Sequence, residues 1–305
     1  MSDPSQTVAL GWLPDLPSIK DYDTDSAAIK PLLAKLNGAG AKAAKGAKGA
    51  PAKLAASVDL RPWCSPIENQ LNLGSCTANA GVGMLEYYER RAYGKHLDGS
   101  RLFLYKTTRN LLKWTGDTGA YLRSTMQALV LFGVPPEDYW PYVVADFEKE
   151  PGAFLYSFAA SYQALNYYRL DPAGTTAASL LSAIKTNLAA GLPSIFGFTV
   201  YNSYLQASTA NKGAIPFPLP ADKVVGGHAV MVVGYNDTLQ IKNTGPGAVA
   251  TTGALLIRNS WGTGWGDSGY GWLPYDYVGS GLATDWWSLI QADWIDTDAF
   301  GLDRA

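Results

Sequence analysis

Helical periodicity fills the middle of this 305-residue chain, and strand-like runs fill the part beyond Leu192. From Cys76 the stretch CTANAGVGMLEYYERRAYG places apolar or aromatic residues at 78, 82, 85, 88 and 92. That spacing predicts an amphipathic helix. Arg90 and Arg91 in its last turn and Gly94 just beyond suit a helix C-terminus. YLRSTMQALVLFG predicts a second helix from Tyr121 to Phe132, stopped by Gly133 before Pro135, and TAASLLSAIKTNLAAG a third over about 176–191. Then come LPSIFGFTV, HAVMVVGYND, GALLIRNSW and GYGWLPYDYV, which are short, β-branched or aromatic, and bounded by Gly, Pro or Asn. These are strand signals. Helices mainly first and strands mainly last predict an α+β protein with a helical lobe and a sheet lobe. A cleft between two lobes is a common place for a site.

Composition sets outer limits. Hydrophobic residues make up 47% and charged residues 16%, enough apolar material for a substantial core in a soluble protein. With 24 basic and 26 acidic residues the formal charge is −2, so neither nucleic acid nor an anionic membrane surface is an expected partner. No stretch approaches the ~18 uninterrupted apolar residues of a membrane span. The N-terminus, MSDPSQTVALGWLPDLPS, lacks the basic start and apolar run of a secretory signal. A cytoplasmic monomer is therefore expected, with a specialised export route left open. Two cysteines, Cys64 and Cys76, make no disulfide framework.

Three segments follow. NGAGAKAAKGAKGAPAKLAAS, residues 37–57, is almost wholly Ala, Gly and Lys and has too few large apolar residues to bury a face, so it is read as a linker. Before it, residues 1–36 form an N-terminal segment. Its GWLPDLPSIKDYD interleaves Trp12, Leu13, Leu16 and Ile19 with Pro14 and Pro17, which predicts an extended strand laid against a surface. Residues 58–305 form the compact domain, with the helical lobe at about 64–165 and the sheet lobe at about 166–295.

Four residues invite a chemical reading. Cys76 falls at the start of its predicted helix, where free N–H groups and the helix dipole stabilise a thiolate. A thiolate nucleophile works best beside an imidazole. The chain has two: His96 in a polar turn-like stretch, and His228 in VVGGHAVMVVGYND, where Gly226 and Gly227 allow close backbone approach at the start of an apolar strand. Asn259, at the end of another strand, could fix the imidazole tautomer. Trp261 could shield that bond from water. Gln70, six residues before Cys76, could help bind an oxyanion. Taken singly, each has a plainer reading: a hydrogen-bonded core histidine, a core aromatic, a surface amide.

The flanks narrow the choice. NQLNLGSC, GGHAVMVVGYND and IRNSWGTGWGDSGYG closely resemble the segments around the Gln, Cys, His and Asn of the papain-like cysteine proteases. The order agrees, as does the 152-residue separation from Cys76 to His228. The resemblance spans about Val58 to the region of Trp287 and implies the two-lobed papain-like fold, a helical lobe facing an antiparallel β-sheet or barrel lobe. It also implies a Cys76–His228–Asn259 triad, with Gln70 and the Cys76 N–H binding the oxyanion of a peptide bond under attack. Gly74, Ser75, Gly227 and Trp261 would border the bound peptide. On the match of DTGAYLRSTMQALVLFGV to the non-primed side of the family's cleft, Gly119 and Ala120 would pair with substrate backbone. Tyr121 and Leu122 would border the pocket for P2, the second residue before the scissile bond, with an apolar preference. Peptide or protein substrates and no metal or organic cofactor are expected.

This sequence departs from the family's C-G-[SA]-C-[WY]: Leu73 stands at a disulfide cysteine and Thr77 at an aromatic. Together with the missing long helical pro-segment, that resembles a bacterial branch of the family. Two other readings stay open, an acyl or amide transferase on the same fold and a catalytically silent peptide-binding homologue. The N-terminal segment is expected either to cover the cleft and limit activity or to serve as a structural strap on the sheet lobe.

Overall fold

A computed structural model of the protein describes residues 9–34, 54–162 and 166–290. Seven strands form one antiparallel sheet: β1 (Ser57–Asp59), β2 (Tyr167–Arg169), β3 (Ser194–Tyr201), β4 (Val224–Ile241), β5 (Thr251–Arg258), β6 (Tyr270–Pro274) and β7 (Ala283–Leu289). Their order is β2–β7–β3–β4–β5–β6, with β1 joining β4 beside this path. The resemblance allowed a sheet or a barrel. Here β2 and β6 are opposite edges, so the sheet is open.

The longest strand, β4, is buried without a break from His228 to Tyr235. Continuous burial means that both of its faces are covered. α1 (Cys76–Tyr93) lies against β4 and in turn carries α2 (Arg101–Leu112) and α3 (Leu122–Leu131), while α5 (Ala177–Ala189) also packs on β4. The five apolar or aromatic residues that mark the α1 period, Ala78, Val82, Leu85, Tyr88 and Ala92, face the core or pack against it. Gly94 ends α1 at φ 70, the left-handed turn expected there.

The helices of α1 to α4 (Ala153–Ala159) all precede β2, so the mixed α+β order read from the sequence is what the chain folds into. Two helices carried no clear period. In α2, charged Arg101, Lys106 and Arg109 interrupt the apolar pattern, yet they are buried because each pairs with a carboxylate. The short α4 offers only two turns. The linker reading also ends too late. Tyr235 donates to the Ala55 carbonyl, Asp237 N–H to that of Ala56, and Ser57 already belongs to β1. The rest of the Ala/Gly/Lys run lies outside the described residues.

A buried chain of polar contacts aligns the segment leading to the site. Arg258 at the end of β5 donates to the Ser65 hydroxyl at 2.9 Å and the Pro66 carbonyl at 2.6 Å. Ser65 in turn donates to Glu86 on α1 at 2.5 Å. Strand, helix and the run toward Gln70 are thereby fixed to one another.

Candidate active site

Cys76 is the first residue of α1 and is fully buried. Ser75, before it, caps nothing with its side chain; its hydroxyl pairs with that of Tyr142 at 2.6 Å and accepts from Asn79 at 3.0 Å. Burial pushes the Cys76 thiol up to about 11, against the pull of backbone N–H groups of Ala229, Gly11, Thr77 and Cys76 itself. The thiol is thus influenced by the backbone of three separate segments.

His228 lies on β4, immediately before Ala229. Its Nε2 is 2.8 Å from Asn259 Oδ1, and its Nδ1 is buried with no hydrogen-bond partner among the described residues. Trp261 stacks on the imidazole with centroids 4.6 Å apart and planes 21° apart, and Phe198 meets it edge-on. Burial drives the His228 pKa down to about 4, with the Asn259 contact opposing. Under this cover a neutral thiol and a neutral imidazole are favoured over an ion pair.

Gln70 is held on all sides. Its backbone N–H donates to Ser260 O at 2.8 Å, and Gly262 N–H to Glu68 O at 3.0 Å, so residues 68–70 run against 260–262. The Ser260 hydroxyl donates to Gln70 Oε1 at 2.5 Å, which turns Nε2 toward Leu73 O at 3.0 Å and Ala9 O at 3.1 Å. Tyr142 donates to the Gln70 carbonyl.

Next to Leu73, hydrogen bonds tie the loop to residues 105–119. Gly74 N–H donates to both Asp117 oxygens at 3.0 and 3.1 Å. Tyr105 donates to Asp117 Oδ1 at 2.6 Å and accepts from Gly119 N–H at 3.0 Å. The loop before Cys76 is thus stapled to Gly119 through Asp117 and Tyr105. Tyr105 is itself fixed under the Arg109 guanidinium, 4.3 Å above its ring.

The cleft is occupied by the chain's own N-terminal segment. Gly11 O accepts from Ala120 N–H at 2.8 Å, Leu13 N–H donates to Ala120 O at 3.2 Å, and Trp12 N–H donates to Gly227 O at 3.2 Å. Gly11 lies so close to Gly74 that a Cβ there would overlap the Gly74 carbonyl. Further along, Arg123 on α3 holds the Asp15 carboxylate, Asp21 at 2.7 Å and the Leu16 carbonyl at 2.6 Å. Arg169 on β2 takes Asp15 O at 3.0 Å, and Ile29 is buried in the main core. The strap runs without helix or turn over 11–18, as its prolines predict, and a turn closed by Asp21 N–H on the Ser18 carbonyl follows.

Cys76, Gln70, His228, Asn259 and Trp261 therefore come together, and Gly119, Ala120 and Gly227 meet a backbone in the cleft. Ser75 turns inward. Tyr121 packs on Trp114 with centroids 5.3 Å apart, and Leu122 is buried at the start of α3. His96 follows the C-terminal end of α1, the end opposite Cys76, and lies near Arg90, Asp98 and Arg258 rather than at the site. Both cysteines are free and buried. Sequence reasoning missed Asp117, Tyr105 and Tyr142, which carry no local signal, and Ser260, which lies inside the Asn-Ser-Trp-Gly run but was given no role. Among the described residues no group of three His, Cys, Asp or Glu is placed to hold a metal ion, and no helix is long and apolar enough to cross a membrane.

Comparison with known proteins gives a consistent picture. The model of a family described as papain family cysteine protease matches residues 54–285. An uncharacterised peptidase C1-like protein of Acanthamoeba polyphaga mimivirus is 32% identical over 227 residues, covering 73% of this chain and 68% of its own. Cathepsin K of Gallus gallus is 29% identical over 224 residues, covering 70% of this chain and 57% of its own, so the match spans under two thirds of that relative. Among solved structures, xylellain, a cysteine protease from Xylella fastidiosa, is similar at TM-score 0.70 and 30% identity, covering 93% of this chain and 96% of that one.

Proposed function

The chain belongs to the papain family of cysteine proteases, and on that premise we propose that it cleaves peptide bonds through a Cys76–His228–Asn259 triad and a covalent acyl-enzyme, under the control of its own N-terminal strap. Cys76 Sγ attacks the scissile carbonyl carbon while Gln70 Nε2 and the Cys76 N–H donate to the developing oxyanion. His228 delivers a proton to the leaving amine, which departs. The same imidazole then takes a proton from water, whose oxygen displaces the thiolate and releases the acid. Asn259 holds the ring so that Nδ1 is free for this traffic.

One observation carries the reading: a polypeptide backbone already threads the cleft. The Ala9 carbonyl lies 3.1 Å from Gln70 Nε2, where a scissile carbonyl would sit, and the Gly11 N–H is among the backbone groups that pull the Cys76 thiol pKa down. Its polarity is reversed. A substrate presents the residues before its scissile carbonyl to the side lined by 119–122, whereas the strap presents the residues after Ala9. Trp12 accordingly pairs parallel with Ala120. In this pose the strap blocks the cleft without being cut. Its removal readmits water, which lowers the thiol pKa, raises that of the imidazole and lets the ion pair form.

Fluorogenic peptide hydrolysis tests the proposal. The intact chain should be slow, Cys76→Ala should be inactive, and Gly11→Val, which drives a side chain into the Gly74 carbonyl, should expel the strap and accelerate turnover. Equal rates for Gly11→Val and the unaltered chain would sink the strap's role. Turnover by Cys76→Ala would sink the mechanism.

A further inference from the structure

We propose that the pocket filled by Trp12 selects tryptophan at P2, with Asp285 as its specificity-determining residue; this rests on the peptidase reading above.

The pocket has a shape and one polar demand. Its wall is Gly197 on β3, and a Cβ at that position would overlap the Cε2, Cδ2 and Nε1 atoms of the Trp12 indole. The missing side chain makes room for a bicyclic ring. At its floor Asp285, fully buried, accepts the indole N–H on Oδ2 at 3.1 Å. Trp12 is only 5% exposed, so body and tip are both enclosed.

Asp285 is aimed there by the backbone. The pairing of β3 with β7 slips between Ile195 and Gly197, and Asp285 sits in the resulting irregularity at φ 62, a left-handed conformation uncommon for a residue with a side chain. The N–H groups of Asp285 and Trp286 both donate to the Asp171 carboxylate, at 2.7 and 3.0 Å, which locks the bulge. Oδ1 accepts from Trp287 Nε1 at 2.7 Å, and Arg169 lies 3.3 Å away. Oδ2 is the oxygen left for an occupant.

Charge balance chooses among donors. When the strap leaves, Asp15 and Asp21 leave with it. What remains around the floor is Asp285 and Asp171 against Arg169 and Arg123, the latter lying over the Trp287 ring. Two carboxylates facing two guanidiniums leave no excess negative charge for an incoming Lys or Arg. A neutral N–H donor on a large flat ring fits instead. The pocket borders Ala120, whose N–H and C=O can pair with a peptide of either polarity, so a substrate side chain can enter where Trp12 now sits. The apolar P2 preference implied by resemblance thereby narrows to one ring with one donor.

The test uses the full chain carrying Gly11→Val and fluorogenic peptides that differ only at P2: tryptophan, 2-naphthylalanine, phenylalanine, arginine and alanine. Naphthylalanine keeps the bicyclic shape and lacks the N–H. A site built around a buried acceptor rejects analogues without the donor, and since Asp285 keeps Trp287 and Arg169, kcat/KM for tryptophan should exceed that for naphthylalanine by about ten- to a hundredfold. Asp285→Asn should shrink that ratio. Because altering Asp285 can unfold the chain, Gly197→Val provides a second arm, expected to lower the ratio of kcat/KM for the tryptophan peptide to that for the alanine peptide at least tenfold, with an unchanged ratio counting against the pocket. Equal rates for tryptophan and naphthylalanine, or a preference for arginine, would overturn the inference. No hydrolysis of any peptide, with Cys76 unlabelled by a peptidyl epoxide, would instead overturn the peptidase reading.

Discussion

At Cys76 and His228 the protonation state follows the cover. Burial raises the thiol to about 11 and lowers the imidazole to about 4, so in the closed chain the thiolate forms only as pH climbs toward 11. Iodoacetamide alkylation of Cys76 should therefore rise late with pH in the unaltered chain. In Gly11→Val the same rise should come at lower pH; coincident profiles would show that the strap does not set the pKa. Gln70→Ala should cost ~10²–10³ in kcat on the Gly11→Val background, the usual scale for one oxyanion donor. The grouping of these residues was legible because each sits in a run that resembles a papain-family segment: Gly-Ser before Cys76, two glycines before His228, Asn-Ser-Trp-Gly around Asn259. Asp285 was not, since nothing near ATDWW announces a pocket floor. Its role comes from a bulge and from Asp171, more than a hundred residues earlier. Ser260 is the instructive middle case: it lies inside the recognised run, but its contact with Gln70 spans 190 residues.

At the level of elements, the Asp117–Tyr105 staple ties the loop before Cys76 to Gly119 by hydrogen bonds. A hydrogen bond to a carboxylate is worth about 1.5–3 kcal/mol. Asp117→Ala should therefore reduce kcat/KM by roughly ten- to a hundredfold in a strap-free background, with Asp117→Asn, which still accepts from Gly74, retaining most activity. An unchanged rate in Asp117→Ala would mean that the loop before Cys76 needs no tether. The strap is an element of the same kind, held at Arg123 and Arg169 more than by its own structure. Arg123→Ala removes the clamp on Asp15, Leu16 and Asp21 and should raise hydrolysis by the full chain. Helices with a clean period, α1, α3 and α5, were readable to within a residue or two. α2 was not, because its buried Arg and Lys depend on carboxylates from the 137–150 stretch that no local window contains.

Across the whole molecule, buried carboxyls set the pH response of stability. Burial raises Glu86 to about 8 and Glu89 to about 7, from 4.5 in the unfolded chain. Between those values the folded state binds more protons than the unfolded one, so stability falls as pH rises from 4.5 through about 8. Tm should be higher at pH 5 than at pH 8, and Glu86→Gln, which keeps an acceptor for the Gly99 N–H and turns a donor toward the Ser65 hydroxyl, should flatten the difference. A higher Tm at pH 8 would contradict this. The gross architecture was open to sequence reading because helices and strands are segregated along the chain. Whether the sheet closes depends on long-range pairing, and its openness became visible only in the strand order. That one polypeptide segment keeps Cys76 covered is open to a direct test by timed labelling with a peptidyl epoxide, read by intact mass. Labelling of the unaltered chain should be slow, and addition to Cys76 in Gly11→Val rapid and stoichiometric. Equal rates in the two, or an adduct anywhere but Cys76, would contradict it.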